Sequence, residues 1–340
     1  MKNREAYYDN AKFFLIFFVV FGHLIQSYIH EDKFIYTIYT TLYTFHMPAF
    51  ILISGFFAKG FHQKGYFTKI TKKLIIPYLI FQGIYSLYYY FLMDQSVTAL
   101  NPLNPQWSLW FLMSLFCWNV MLFVFAKWKP AVSLVMAVSL GILVGYFNEI
   151  SNFLSLSRTF VFFPFFLLGY YLKKEHFEKV KHIKFRYLSL GVLLAIFLIV
   201  YVSPTFEYRW LFGSKPYDIV NEYEINGGLI RLGVYAVALL ATLSFLALVP
   251  RRHYFFTKWG TGSIYVYLLH GFFVKYFRTS EFEGVLSESE QIVVLIFLSL
   301  LLTGFLSSKW IRKIAQPLIE LKVGFSKKYA VDGGDKQRRM

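Results

Sequence analysis

KFFLIFFVVFGHLI, residues 12–25, places ten apolar or glycine residues between a lysine and a histidine. With YYDNA (residues 7–11) in front of it, the run approaches the roughly 20 mostly apolar residues that cross ~30 Å of hydrocarbon. Its apolar residues form a continuous run, not the spaced stripe of a soluble core helix. One such run is ambiguous; the chain repeats it. Of 340 residues, 57% are hydrophobic and 21% aromatic, including 40 Phe and 26 Tyr, against about 45–50% apolar content in soluble domains.

Working outward, the sequence predicts an all-α, polytopic transmembrane bundle of about ten spans. They fall at 11–29, 34–58, 73–93, 108–126, 131–147, 159–172, 185–203, 229–249, 262–277 and 291–308. Ten spans leave little soluble mass, so residues 1–310 read as one membrane domain. Residues 311–340 read as a basic cytoplasmic tail with a disordered tip. The net charge of +16 would point to nucleic acid in a soluble chain. Here most Lys and Arg fall in the loops on the side of the two termini, as the positive-inside rule requires for cytoplasmic ends. The expected location is therefore the cell membrane, with the bilayer as partner and no nucleic acid. Cys117, the only cysteine, excludes an intrachain disulfide or a cysteine metal site. Lys2 and Arg4 precede the first apolar run, but no A-x-A-like cleavage site follows, so it reads as a retained helix.

Polar residues inside spans cost about 2.5–3.5 kcal/mol for Lys or Asp and are functional candidates by default. Asp9 and Lys12 are an i,i+3 pair near the cytoplasmic edge. Lys12 and His23 are eleven residues apart, about three turns, so they share a face about 16 Å apart along the axis. Lys12 has a bland reading as a residue snorkelling to headgroups; His23 is too deep for that. In TFHMPAFILISGFF (residues 44–57), His46 lies at a depth matching His23. Pro48 loosens the ladder there, and Gly55 permits close helix approach. His46 either shares a polar cavity with His23 or bonds a carbonyl that Pro48 frees.

Lys69, Lys72 and Lys73 in FTKITKKLIIPYL precede a proline-containing span, with Lys59 and Lys64 nearby. They read either as ordinary topology charge or as a phosphate clamp at a helix entrance. Trp107 and Trp110 read as interfacial belt residues. Arg158 is one of few cations on the outer side, suited to an anionic or polyol substrate or to a purely structural role. In GTGSIYVYLLH (residues 260–270), Ser263 reads as an N-cap, and Tyr267 and His270 share a face. Three histidines at bundle depth raise the question of a metal. No acidic partner or HxxxH spacing accompanies them, so none is expected.

In this order and spacing the motifs resemble the acyltransferase 3 family of membrane acyltransferases, in particular the fucose 4-O-acetylase-like group. The resemblance covers about residues 5–310. It rests on the basic residue and histidine of the first helix (Lys12, His23), on FHMPAFILISGFF with His46, Pro48 and Gly55, on KKLIIPYL, and on LWFL and GSIYVYLLH. Where the family often has arginines before the third span, this chain has lysines, which removes the bidentate phosphate grip. The resemblance implies transfer of an acyl group, usually acetyl, from acyl-CoA to a hydroxyl of a saccharide or other envelope molecule. Acetyl-CoA would be a cosubstrate, with no tightly bound cofactor. His23 would act as general base or carry the acyl group itself. Lys12, oriented by Asp9, would tune the site or meet CoA phosphates, and Lys69, Lys72 and Lys73 would face CoA. His46, Trp110, Arg158, Tyr267 and His270 would line the acceptor site. The competing class is a transporter or flippase for a polysaccharide or lipid-linked precursor, which also sets polar residues and broken helices near midplane.

Overall fold

Hydrocarbon offers no partner to a backbone amide, so apolar runs of this length satisfy their own ladders as helices. A computed structural model describes residues 5–93, 101–150, 153–220, 226–280 and 288–321. Among them every expected span is helical and no strand occurs. We label the long helices α1 (Ala6–Ile25), α2 (Lys33–Phe56), α3 (Tyr66–Ile70, Thr71–Ile75 and Ile76–Met93 in succession) and α4 (Trp110–Phe125). There follow α5 (Pro130–Leu143), α6 (Leu156–Tyr171), α7 (Ile183–Val202), α8 (Gly227–Leu248), α9 (Ser263–Thr279), α10 (Glu288–Leu306) and α11 (Lys309–Glu320).

By length and composition six of these segments can cross a membrane: those at 6–28, 66–92, 107–125, 153–171, 184–202 and 227–248. A seventh is added if α10 and α11, bent by 64°, count as one span. This is fewer than the ten expected, for physical reasons. The α5 segment is shorter, and α9 ends in Lys275 and Arg278. In α2 the hydropathy is diluted by Thr37, Thr40, Thr44 and His46, all buried inside the bundle.

Local chemistry sets several boundaries. The acidic loop before α2 supplies its N-cap, with the Ile35 amide donating to Asp32 Oδ1 at 2.7 Å. Pro130 sits in the first turn of α5, where no amide is needed. Ser263 is the first residue of α9 and not its cap; that position belongs to Gly262. Residues 309–320, assigned from sequence to the end of the membrane domain and the start of the tail, form α11. The rest of that tail lies outside the described residues.

Helix α1 is the hub. Ala11, Leu15, Ile16, Val20 and Leu24 are buried, and α1 packs against α2, α9 and α10. Outlying α7 instead exposes Leu190, Leu194, Leu198, Ile199 and Val202, as a lipid-facing helix should. The most extensive contact joins α2 to α6, where two glycines allow backbone-to-backbone approach. A Cβ on Gly55 would meet the Phe166 carbonyl, and one on Gly169 would meet the Leu52 carbonyl.

Because neither carbonyl can retreat without moving its helix, Gly169→Leu should cost about 1–3 kcal/mol by overpacking. At Gly191, where nothing lies within 4 Å, the same substitution should leave stability unchanged. Thermal unfolding of the two purified variants in detergent checks this. Equal melting temperatures would refute the close crossing.

Candidate functional site

Two substantial cavities lie on opposite sides of His23. The larger, about 670 Å³, opens at the end of the bundle where α1 begins. Asp9 and Lys12 line it, and their ion pair measures 3.3 Å. Glu5 and Lys174, also lining it, form a second ion pair. Lys73 lines the same space and makes no ion pair among the described residues.

The second cavity, about 210 Å³, lies at the other end of α1. His23, His46, Trp107, Trp110 and Arg158 line it, together with Gln26 and Tyr43. A separate void of about 30 Å³, here called the neck, shares wall residues with both. Phe50 borders both the neck and the large cavity, while His23, Met47, Ser108 and Trp110 border both the neck and the smaller cavity. His23 thus stands where the two spaces approach each other.

The three deep histidines differ in how their rings are held. His46 Nδ1 is 2.8 Å from the Leu42 carbonyl, and His270 Nδ1 is 3.0 and 2.8 Å from the Val266 and Tyr267 carbonyls. A carbonyl only accepts, so both Nδ1 atoms carry hydrogen and both rings are fixed as structural donors. The Leu42 carbonyl is an ordinary i−4 acceptor, not the one Pro48 frees, which belongs to Thr44. His23 has no such tether: its Nδ1 is buried without a hydrogen bond among the described residues. Its ring is held by packing, 4.5 Å from Trp107 and 5.6 Å from His270 between ring centroids. Arg278 donates to the His23 carbonyl and, at 2.7 Å, to Gln26 Oε1, which fixes the end of α1.

Trp107 holds its place under backbone strain, with φ of 37° in the left-handed region. The loop before it is drawn over the bundle by Gln82, whose amide donates to the Asn101 and Asn104 carbonyls and accepts from the Gln106 amide. Trp107 is therefore a wall of the histidine site and not the belt residue expected from sequence. Arg158 sits in the first turn of α6, which Ser157, Thr159 and Trp118 pin to its neighbours. Ser157 Oγ donates to the Gly213 carbonyl, Thr159 Oγ1 lies 2.8 Å from Ser114 Oγ, and Trp118 Nε1 donates to the Thr159 carbonyl. The guanidinium lies 5.0 Å from the Trp110 ring and has no carboxylate partner among the described residues.

An acyltransferase domain family matches residues 5–311, nearly the whole chain. The chain belongs to the acyltransferase 3 family. That family's model describes an acyltransferase domain, and the chain's apolar helices agree with a membrane setting. Nodulation protein NolL of Mesorhizobium japonicum is 37% identical over 84 residues, 23% of this chain and 22% of that protein. NolL of Sinorhizobium fredii is 44% identical over 61 residues, 17% of each chain. The matched stretches thus span about a fifth of these relatives' length. No solved structure matches.

In the structure the residues singled out from sequence separate into groups. Asp9 and Lys12 meet at the large cavity; His23, His46, Trp110 and Arg158 meet at the small one. Tyr267 borders the neck, and its hydroxyl donates to the Ser108 carbonyl at 2.6 Å. His270 is fully buried behind His23 and lines none of these spaces. An uninterrupted helix would stack Lys69, Lys72 and Lys73 on one face. Instead a π-turn over Thr71–Ile75, just ahead of Pro77, changes the rotation per residue. Only Lys73 of the three lines the cavity. Lys59 is used elsewhere, donating to the Leu172 carbonyl at the end of α6. Among the described residues no three His, Cys, Asp or Glu side chains gather as a metal would require. Tyr43, Gln26 and Arg278 escaped the sequence reading; Tyr43 precedes His46 by three residues, a same-face spacing that was available as a signal.

If Trp107 positions His23, Trp107→Ala should lower acyl transfer by about tenfold or more, and Trp107→Phe by much less. Both variants should insert and purify like the parent. Equal rates for all three proteins would remove the tryptophan from the site.

Proposed function

We propose that this chain is a multi-pass O-acyltransferase of the cell membrane. On this reading it moves an acyl group, by family resemblance acetyl, from acyl-CoA to a hydroxyl of a saccharide or other envelope molecule. The ten long helices α1–α10 all lie within the bilayer, including those too polar or short to cross alone, and both termini are cytoplasmic. The charge asymmetry of the loops supports that orientation.

The observation that carries the reading is the alignment of cavities with His23 at the neck. CoA occupies the large cavity from the cytoplasmic side. Lys73 meets its phosphates, Lys69 and Lys72 strengthen the field at the entrance, and Lys12 with Asp9 sets the local charge. The acceptor enters the smaller cavity, where Arg158, Trp110 and His46 orient it. Tyr267 and His270 hold the neck and the His23 ring. A neutral His23 then removes the proton from the acceptor hydroxyl as its oxygen attacks the thioester carbonyl. The C–O bond forms, the C–S bond breaks, and the leaving thiolate takes a proton from the histidine. The result is an ester and free CoA.

A neck of about 30 Å³ favours this chemistry over transport. That volume is close to one water's share of the liquid. The acyl carbonyl need only reach His23 through it, whereas a sugar would have to pass.

His23→Ala should abolish transfer from radiolabelled acetyl-CoA while the protein is still produced and inserted. Full activity in that variant would sink the assignment. Direct transfer to the acceptor also requires a ternary complex, so double-reciprocal plots should intersect; parallel lines would instead indicate an acyl-histidine. Lys73→Ala should raise the KM for acetyl-CoA by about tenfold, with Lys69→Ala and Lys72→Ala changing it less. An unaltered KM in all three variants would return the cluster to a topology signal.

A further inference from the structure

Two neighbouring imidazole rings each bury a nitrogen that has no partner. His23 Nδ1 and His270 Nε2 are both inaccessible, and neither makes a hydrogen bond among the described residues. The rings lie 5.6 Å apart between centroids and 24° from parallel. His270 is fully buried and borders neither cavity nor the neck, so its Nε2 is out of reach of a ligand there. His46 is tethered in the same way but lines the small cavity, where a ligand can meet its other nitrogen. The tautomer of His270 is fixed from behind. Its Nδ1 donates to the Val266 and Tyr267 carbonyls, so the neutral ring keeps its lone pair at Nε2 and that atom can only accept. A buried acceptor left without a donor is costly. The unbonded nitrogen in the ring beside it is His23 Nδ1.

We propose that His270 is a positioning residue that sets the tautomer of His23. His23 Nδ1–H donates to His270 Nε2, through a small rotation of the ring or one bridging water. The inference rests on the reading of His23 as the base in acyl transfer. A neutral imidazole has one N–H and one lone pair, so a proton held at Nδ1 leaves the lone pair at Nε2. His23 lines the small cavity and the neck while its Nδ1 is buried, which makes Nε2 the nitrogen that faces them. Only in this tautomer can the ring take a proton from an acceptor hydroxyl there. In a Ser-His-Asp triad a carboxylate does this orienting work. Within hydrocarbon a carboxylate would bring a charge to bury, and a neutral histidine with a fixed lone pair would not. During turnover His23 carries hydrogen on both nitrogens and keeps its bond to His270. The Nε2 proton then leaves with the thiolate, which restores the starting tautomer. The same helix, α9, also grips the His23 carbonyl through Arg278, so one element holds both the main chain and the ring of the base.

Nitrogen-15 NMR of the full-length protein, labelled at histidine and held in nanodiscs, reads the tautomer directly. The His23 signals are assigned by their loss in His23→Asn. In the parent the neutral His23 ring should favour Nδ1–H over Nε2–H by about tenfold or more. A parent ring with its proton at Nε2 would overturn the proposal without recourse to any variant. His270→Phe keeps an aromatic ring and removes the acceptor, so the preference for Nδ1–H should disappear. With [14C]acetyl-CoA and membrane extract, its kcat should fall by about tenfold while the KM for acetyl-CoA stays within about twofold. His270→Gln, whose side-chain carbonyl can accept in place of Nε2, should recover most of the tautomer preference and most of the rate. A His270→Phe protein with unchanged kcat, or a loss of rate with the His23 tautomer unmoved, would reduce His270 to packing and overturn the proposal. The underlying reading fails separately. Full activity in His23→Ala would remove the base whatever the tautomer, whereas an Nε2–H parent ring beside an inactive His23→Ala would refute the role of His270 alone.

Discussion

A polar side-chain atom inside hydrocarbon has no water to fall back on, so the partner it finds decides where its helix can sit. In this protein the partner is repeatedly a backbone carbonyl of another helix, and the donor is often tyrosine. Tyr7 reaches the Leu246 carbonyl at 2.7 Å, Tyr85 the Leu268 carbonyl at 2.9 Å and Tyr235 the Val161 carbonyl at 2.8 Å. Asn10 ties α1 to the loop before α9, donating to the Pro250 and Arg252 carbonyls and accepting from Thr257. These bonds account for much of the unusual tyrosine content. Against that background the smaller cavity is distinct: the His23 ring and the Arg158 guanidinium are set in place by packing, His23 Nδ1 without a hydrogen bond and Arg158 without a carboxylate partner among the described residues.

The same rule explains how much could be read from sequence. Apolar run length located every long helix from α1 to α10, because in lipid it is the dominant constraint. The separation of Lys12 and His23 along one helix was equally legible, and the structure places them at successive spaces beside α1. Less legible were features that need two segments at once. Gly55 announced a close crossing, but Gly169 as its reciprocal partner did not. Trp107 followed the composition of a belt residue, whereas Gln82 and the strained loop turn it inward. The lysine cluster was read as a unit at a helix entrance, whereas beside a π-turn only Lys73 of Lys69, Lys72 and Lys73 lines the cavity. Helices α2 and α9 were taken as spans with the others, although their polarity makes sense only once α1, α6 and α8 surround α2 and α1, α3 and α10 flank α9.

The arrangement also separates two tasks. Of the lysines lining the large cavity, Lys12 and Lys174 are paired with carboxylates within the protein, while Lys73 is in no ion pair among the described residues. At the smaller cavity the balance is reversed: one lining cation, aromatic walls and the tethered His46 surround the untethered His23, with His270 buried behind it. A site with few competing bases has little ambiguity about which atom takes a proton. Its low-dielectric surroundings magnify the effect of each fixed dipole.

The bent end of the chain adds a mechanical element. Helix α11 turns 64° from α10 and presents Trp310 and Ile314, 79% and 73% exposed, beside Lys309 and Lys313. That is the pattern of a helix resting at the lipid–water boundary. It is bolted to α9 and to the turn before it: Tyr265 of α9 donates to Glu320, and Arg312 donates to Thr261 Oγ1 and the Lys258 carbonyl just ahead of α9. At its far end α9 carries Arg278, which grips the His23 carbonyl. The float and the histidine therefore hang from opposite ends of one rigid rod. Through α9 the placing of α11 and the end of α1 that carries His23 depend on one chain of side-chain bonds.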